Sequence, residues 1–322
     1  MKAQPMSDGI ARVTHAIQHA SRTPVPRGEL VIDRGFARDI LIWRGWDGIA
    51  HVSSDTALLK ACCHCLKLDL ACIPAGSRWM ESILSPPAQD IPQFVDEGLF
   101  IFWLVDGAFE AAAAERGIMT LLGGMARYSG EVDPMLHRLS RQVMANMDRG
   151  VTAGAHGIII SDDIAYRHGT YMSPDWVKRY LLPLWQAQVS KAHDLGVPVF
   201  LHSDGRLDGV LPLIVAAGFD GLQCIEPGAG MDISAIKTQY EGRLCLMGNV
   251  DPALLCDPAS TGGATGIDGL RRAVRDVMAL GGAGGIIFGT CSGLHSGMRP
   301  ERVFSMHHMA AAFDPAGRVV SP

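Results

Sequence analysis

Short apolar runs recur along the chain, each stopped by a polar or Gly/Pro cluster and mostly followed by a longer amphipathic stretch. Eight are present: Glu29 to Ile32, Leu68 to Ile73, Leu99 to Val105, Gly157 to Ile160, Val197 to Leu201, Gly221 to Ile225, Leu244 to Met247 and Gly285 to Phe288. Apolar throughout rather than alternating, they predict strands of a parallel sheet covered on both faces. The stretches between them carry helix start and stop signals. Asp133-Pro134 opens Met135 to Ala153. Ser173-Pro174 opens Asp175 to Leu195, with serine as N-cap and proline in the first turn, and Gly196 ends it. Leu207 to Ala217, Ile233 to Tyr240 and Ile267 to Leu280 stop at Gly218, Gly242 and Gly281, and a last helix runs from Pro300 to about Phe313.

Eight such βα units predict an α/β protein, a (β/α)8 TIM barrel, which takes roughly 250 residues. The surplus is assigned to an N-terminal helical extension over residues 1–25, with a helix at Ile10 to Ser21, and to enlarged loops within a barrel over 26–322. A doubly wound open sheet is the alternative, but no G-x-G-x-x-G follows any of the runs and no linker divides the chain.

Composition narrows the functional classes. Of 322 residues 48% are hydrophobic and 19% charged, which excludes a disordered or highly solvated chain. With 28 Lys and Arg against 33 Asp and Glu, a net charge of -5 and no concentrated basic stretch, duplex nucleic acid is excluded as a partner. The longest apolar runs, such as Leu99 to Val105, are too short to span a bilayer, and Met1 to Gly9 lacks the hydrophobic core of an export signal. The expected setting is cytoplasmic, without membrane association. The eight cysteines lie in apolar surroundings and are expected to be reduced.

In a barrel of this type the chemistry sits at the carboxyl ends of the strands. Following the runs in order, those ends read Asp33, Pro74, Asp106, Asp162-Asp163, His202-Ser203-Asp204-Gly205, Glu226-Pro227, Gly248-Asn249-Val250-Asp251 and Thr290-Cys291. Any one aspartate here can simply cap the next helix, but seven polar ends out of eight point to a site. His202 and Cys291 are a His/Cys pair suited to zinc. Cys224 and Glu226, two apart on one strand and so on one side of it, are alternatives for a further ligand. At least one of Asp162 and Asp163 is expected to face the mouth, to bind a substrate group or hold a proton alongside His202. Asp106, Asp204, Asn249 and Asp251, with His295 from the rim, are the candidate substrate-binding groups. Cys62-Cys63-His64-Cys65 lies in a helical stretch, Ala57 to Leu66, without metal-ligand spacing, and reads as helix packing. His307 and His308 fall in the last helix, and the tracts at Gly262 to Gly266 and Gly281 to Gly285 are turns, not phosphate loops.

The ordered string Ser161-Asp-Asp-Ile-Ala, Gly169, Ser173-Pro174, Leu182-Pro183, Gly196-Val-Pro-Val-Phe-Leu-His-Ser-Asp-Gly, Ile225-Glu-Pro, Met231-Asp, Gly248-Asn-Val-Asp and Gly289-Thr-Cys resembles the uroporphyrinogen decarboxylase superfamily. The likeness runs from about Pro26 to Phe313 and implies a (β/α)8 barrel. The superfamily contains porphyrin decarboxylases and corrinoid-dependent methyltransferases, some of them zinc enzymes that methylate a thiol from methylcobalamin. The decarboxylases carry an Arg-Gln-Ala-Gly-Arg-Tyr segment after the first strand, whereas Glu29 to Phe36 here has only Arg34. A polycarboxylate porphyrin needs several cations, so the methyltransferase branch is the closer one. Its zinc members show His-x-Cys-Gly where this chain has His202-Ser203-Asp204-Gly205, with a later cysteine that Cys291 matches. Aspartate in place of a thiolate implies a harder His/Asp/Cys site, completed by Cys224 or Glu226, and a stronger Lewis acid toward an alcohol or ether oxygen.

The resemblance thus implies transfer of a methyl group between a small methylated substrate or acceptor and a cobalamin, assisted by zinc. No Asp-x-His-x-x-Gly corrinoid segment occurs in the chain, so the corrinoid is expected free or on a separate corrinoid protein. The oligomer, if one forms, is expected to be a homodimer. A decarboxylase of a small or tetrapyrrole acid and a non-catalytic corrinoid- or tetrapyrrole-binding subunit are the competing readings.

Overall fold

Seven of the eight apolar runs form strands, and they pair in parallel in the order in which they occur. The structure is a computed structural model and describes residues 8–20, 24–46, 48–75, 81–128, 130–256, 266–314 and 318. Its strands are β1 (Leu70–Pro74), β2 (Phe100–Asp106), β3 (Gly157–Ser161), β4 (Ala165–Tyr166), β5 (Gly169–Thr170), β6 (Val199–His202), β7 (Gly221–Gln223), β8 (Cys245–Val250) and β9 (Ile286–Thr290). The main sheet has the order β1-β2-β3-β6-β7-β8-β9, while β4 and β5 form a separate antiparallel hairpin.

Side-chain alternation along these strands builds two apolar layers. Leu70, Cys72, Phe100, Phe102, Leu104, Ile159, Phe200, Cys245, Met247 and Ile287 pack together inside the curl of the sheet. Their neighbours Ile101, Trp103, Ile158, Ile160, Leu201 and Leu246 join the layer between sheet and helices. Burying a ring such as Phe102 fully is worth ~2–3 kcal/mol over leaving it exposed, and both layers are needed because both faces of a parallel sheet are covered.

The eighth run departs from expectation. Glu29 to Ile32 is not a strand, and the segment around it is held by isolated bridges, Arg27 to Phe288 and Ile32 to Leu294. Gly28 N–H donates to Phe288 at 2.9 Å, and Asp69 N–H donates to Arg27 at 2.8 Å. The sheet is therefore a curled, seven-stranded half-barrel of TIM-barrel-like form, not one closed by an eighth strand. Its local chemistry explains this. Pro24 and Pro26 offer no N–H, the Arg27 N–H goes to the Asp69 carboxylate at 2.9 Å, and the Thr290 N–H goes to the Glu29 carboxylate. Side chains thus take places that a ladder would give to carbonyls.

The helices largely follow their signals. Ser173 caps through Trp176 N–H, and Gly218 closes Leu211–Ala217 at φ 93. Ile267–Leu280 forms as expected, and the last helix is Pro300–Ala310. One stretch is less regular than its pattern: Pro174–Trp176 passes through a π turn at Val177–Leu181 into Leu182–Asp194. Pro183 lacks the N–H that would bond back to Arg179, which loosens that turn. The N-terminal helix, Gly9–Ile17, sits at the amino ends of the strands. Arg12 Nε donates to buried Asp69 at 2.9 Å, and Gly285 N–H donates to Ala16 at 2.9 Å. The carboxyl ends are left for the site. All eight cysteines are free, and among the described residues no helix is long and apolar enough to cross a membrane.

Candidate metal centre

Where the inner apolar layer ends, the next inward positions are polar. By the alternation that turns Leu104, Ile159 and Phe200 inward, Asp106, Ser161 and His202 share that face one step nearer the carboxyl ends. His202 and Gln223 are register partners across β6 and β7, and their side chains bond, His202 Nδ1 to Gln223 Oε1. Gln223 Nε2 donates to the Cys291 carbonyl at 3.1 Å. That bond turns the amide oxygen toward the imidazole, so Nδ1 carries the proton and Nε2 presents its lone pair to the mouth.

Two carboxylates meet that nitrogen. Asp163 Oδ1 lies 3.6 Å from His202 Nε2 and accepts the Asp204 N–H at 2.8 Å. One ligand atom each from Asp163, His202 and Asp204 falls within 4.8 Å of the others. Cys224 Sγ donates to Asp204 Oδ1 at 3.1 Å. A nitrogen with two oxygens, and a thiol one bond away, is a donor set that suits zinc or a slightly harder divalent cation. The 3.6 Å spacing also matches two ligands placed ~2.1 Å from one tetrahedral ion. The cluster opens onto a cavity of about 130 Å³, also bounded by Asp106, Glu110 and Ser161.

Electrostatics follow from burial and these neighbours. Burial disfavours a charged His202 ring, but Asp163, Asp204, the Gln223 bond and Glu110 outweigh it and raise its pKa. Cys224 is held well above the usual thiol range by its hydrogen bond with Cys291, by burial and by Asp204. Cys224 and Ile225 both have positive φ, 104° and 50°. Such backbone costs about 1–3 kcal/mol per residue and concentrates at functional sites; here it ends β7 and sets the thiol against Asp204.

The aspartate pair divides by strand parity. Ser161 faces in, so Asp162 faces out and only Asp163 reaches the cavity. Asp162 is fully buried, accepting from Glu110 N–H at 2.9 Å and Trp185 Nε1 at 3.1 Å. It is a cap on Ala108–Arg116, set apart from the cavity lining. Burial is the main reason its pKa rises to about 6. A carboxyl whose pKa is higher folded than unfolded keeps its proton in the fold. Its stabilisation is complete below about pH 4 and is lost as pH rises through 6. Asp162→Asn is therefore expected to gain about 3 kcal/mol relative to the parent between pH 4 and pH 7. Urea unfolding of both proteins across that range measures it, and a flat difference would refute the assignment.

Several expected site residues lie elsewhere. Glu226 accepts the Gly205 N–H at 2.9 Å, shaping the turn after His202 instead of joining the cluster. Cys291 is buried; its carbonyl accepts from Gln223 and its thiol hydrogen-bonds to Cys224. Of the residues expected as ligands, His202 and Asp204 belong to the cluster; Cys224 touches it, while Cys291 and Glu226 brace it. Asn249 is tied by Nδ2 to the Ile225 carbonyl at 3.2 Å. Asp251 caps Pro252–Leu254 through Ala253 N–H, and His295 is engaged with the Ser296 carbonyl at 2.9 Å. Asp106 and Asp204 do border the cavity. Asp33 caps Arg34–Trp43 through Phe36 N–H.

Three site residues escaped sequence reasoning: Ser161, Gln223 and Glu110. Ser161 directly follows the run Gly157 to Ile160, and Gln223 lies inside the run Gly221 to Ile225. Glu110 sits in the helix after β2, with Oε2 accepting from Ser161 Oγ at 3.2 Å.

The uroporphyrinogen decarboxylase (URO-D) family matches residues 105–313. A curated relative, the uroporphyrinogen decarboxylase of Chlorobium chlorochromatii (strain CaD3), is 31% identical over 123 residues, which are 38% of this chain and 33% of that protein. The chain thus matches about a third of that relative's length. A solved methyltransferase from Methanosarcina mazei superposes with a TM-score of 0.73 over 93% of this chain and 97% of its own, at 17% sequence identity, a likeness of fold.

Proposed function

Because this chain belongs to the uroporphyrinogen decarboxylase family, we propose that it is an enzyme of the family's methyltransferase kind, moving a methyl group between a small methylated substrate or acceptor and a corrinoid. The observation that carries this reading is the Asp163–His202–Asp204 cluster at the strand ends. Two inward carboxylates beside an imidazole invite a cation and repel the carboxylates of a porphyrin, which would need arginines in their place. Among the described lining residues there is no lysine or arginine.

Asp163, His202 and Asp204 would hold a zinc ion, with Cys224 in reserve beside Asp204. Bound there, zinc would supply Lewis acidity toward an alcohol, ether or thiol. The protein does the rest. Gln223 fixes the imidazole so that Nε2 faces the cavity. Asp162 holds the Glu110 backbone and so positions the Glu110 carboxylate next to Ser161 at the cavity wall. Glu110 and Asp106 line the cavity, where their carboxylates would orient substrate or exchange its proton. The corrinoid would arrive free or on a separate protein.

The test combines metal analysis with spectra. Stoichiometric zinc and demethylation of methylcob(III)alamin with small thiols or alcohols, followed by the corrinoid absorbance, are the expected results. A protein that is metal-free as purified and after zinc loading, and that decarboxylates uroporphyrinogen instead, would assign it to the decarboxylase side of the family.

A further inference from the structure

The cavity at the metal centre is small. Its volume of about 130 Å³ is close to that of an engineered cavity of ~150 Å³ that admits one benzene-sized molecule. It can take the reacting end of a substrate, and the rest must leave across the rim. The nature of the rim therefore selects the substrate's other end.

On the side of Asp163 and Asp204 the rim is aromatic. The β4–β5 hairpin begins two residues after Asp163 and carries Tyr166, with Tyr171 directly beyond it. The two rings stack at 5.5 Å and 19°, and His168 meets Tyr166 edge-on at 5.9 Å. Both tyrosines remain open, 47% and 39% exposed. The hairpin is not loose. Arg206 N–H donates to the Tyr166 carbonyl at 3.0 Å. Gly205, at φ 84, lies so close that a Cβ there would stand 2.6 Å from the Tyr166 backbone nitrogen. Tyr166 is thus clamped to the residue after Asp204. Tyr171 feels burial and then both Asp163 and Asp204, which raise its pKa.

Open aromatic faces beside carboxylates attract organic cations. A ring face holds an alkylated ammonium by its quadrupole, and carboxylates add charge attraction while turning anions away. Each carboxylate of the cluster offers one oxygen to a metal and keeps a second. His202, 4% exposed, aims Nε2 into the same cavity without a hydrogen bond of its own.

We propose that the substrate of this centre carries an alkylammonium cation at its non-reacting end, received by the Tyr166–Tyr171 stack and the rim side of Asp163 and Asp204 while its reacting group occupies the cavity. This rests on the small-substrate reading above and narrows it to organic cations.

The experiment is a binding measurement on the full chain by titration calorimetry, without corrinoid or turnover, zinc-loaded and after chelation. The probes are choline and its uncharged carbon isostere 3,3-dimethylbutan-1-ol. Choline is expected to bind about tenfold more tightly than the isostere. Leucine at both tyrosines (Tyr166→Leu with Tyr171→Leu) should remove that preference, and phenylalanine, which keeps the ring face, should retain it within about threefold. Equal binding of the two probes, or choline affinity unchanged in the double leucine variant, would overturn the proposal. Should the leucine variant fail to fold, the isostere comparison and the phenylalanine variant still decide. Selective choline binding without methyl transfer would refute only the methyltransferase reading, whereas methyl transfer without cation preference would refute only this one.

Discussion

His202→Ala is expected to lose its metal and its activity while keeping its fold. The imidazole is one of three donors in the cluster and the only nitrogen among them. Loss of an outer-shell partner alone typically lowers metal affinity 10- to 100-fold, so removing the donor itself should cost at least about a hundredfold. Gln223→Leu provides the graded comparison. It spares every donor but frees the ring that Gln223 Oε1 and the Cys291 carbonyl hold in place, and about a 10- to 100-fold loss of affinity is expected. Metal retained after dialysis against a chelator reads both, with circular dichroism as the control for folding. If His202→Ala keeps stoichiometric zinc and full turnover, the metal centre is not where the geometry puts it.

Gly289→Ala should be the most damaging single-methyl change for stability. A Cβ at Gly289 would stand 2.0 Å from the Gly28 carbonyl oxygen. The obstacle is backbone, so no rotamer change can relieve it. This is also the place where the segment around Arg27 bridges to β9, and the clash would push that segment away from its hydrogen bonds to Phe288. A loss of about 4 kcal/mol or more is expected, the range reached by overpacking when the neighbour cannot yield. In a chain of this length that corresponds to about 6 °C or more in Tm. Gly130→Ala is the control, since nothing lies within 4 Å of its Cβ, and it should stay within about 0.5 kcal/mol. A Gly289→Ala protein that melts with the parent would mean that the bridge contributes nothing to the curl.

Much of the architecture was legible because it depends on local pattern. Uninterrupted apolar runs such as Leu99 to Val105 can only be central strands of a covered sheet, and Ser173-Pro174 or Gly218 mark helix ends by conformations fixed within a few residues. The same reading overcounted at Glu29 to Ile32. Whether that run joins a ladder depends on the Asp69 and Glu29 carboxylates taking backbone N–H groups of Arg27 and Thr290, partners brought in from 42 and 261 residues away.

The site divides in the same manner. That His202, Asp163 and Asp204 would gather at one mouth follows from strand order and from the rule that chemistry sits at carboxyl ends, both readable along the chain. Which carboxylate of Asp162-Asp163 faces in is settled by the parity of β3, and the roles of Glu226, Cys291 and Asn249 are settled by what stands opposite each. Glu226 meets the Gly205 N–H, the Cys291 carbonyl meets Gln223, and the Asn249 amide meets the Ile225 carbonyl. Residue type and strand order therefore place a polar, family-typical mouth at the carboxyl ends of the strands. Which side chains gather as the Asp163–His202–Asp204 group comes from side-chain direction and cross-strand register, because a one-residue change of parity turns an inward carboxylate into a cap.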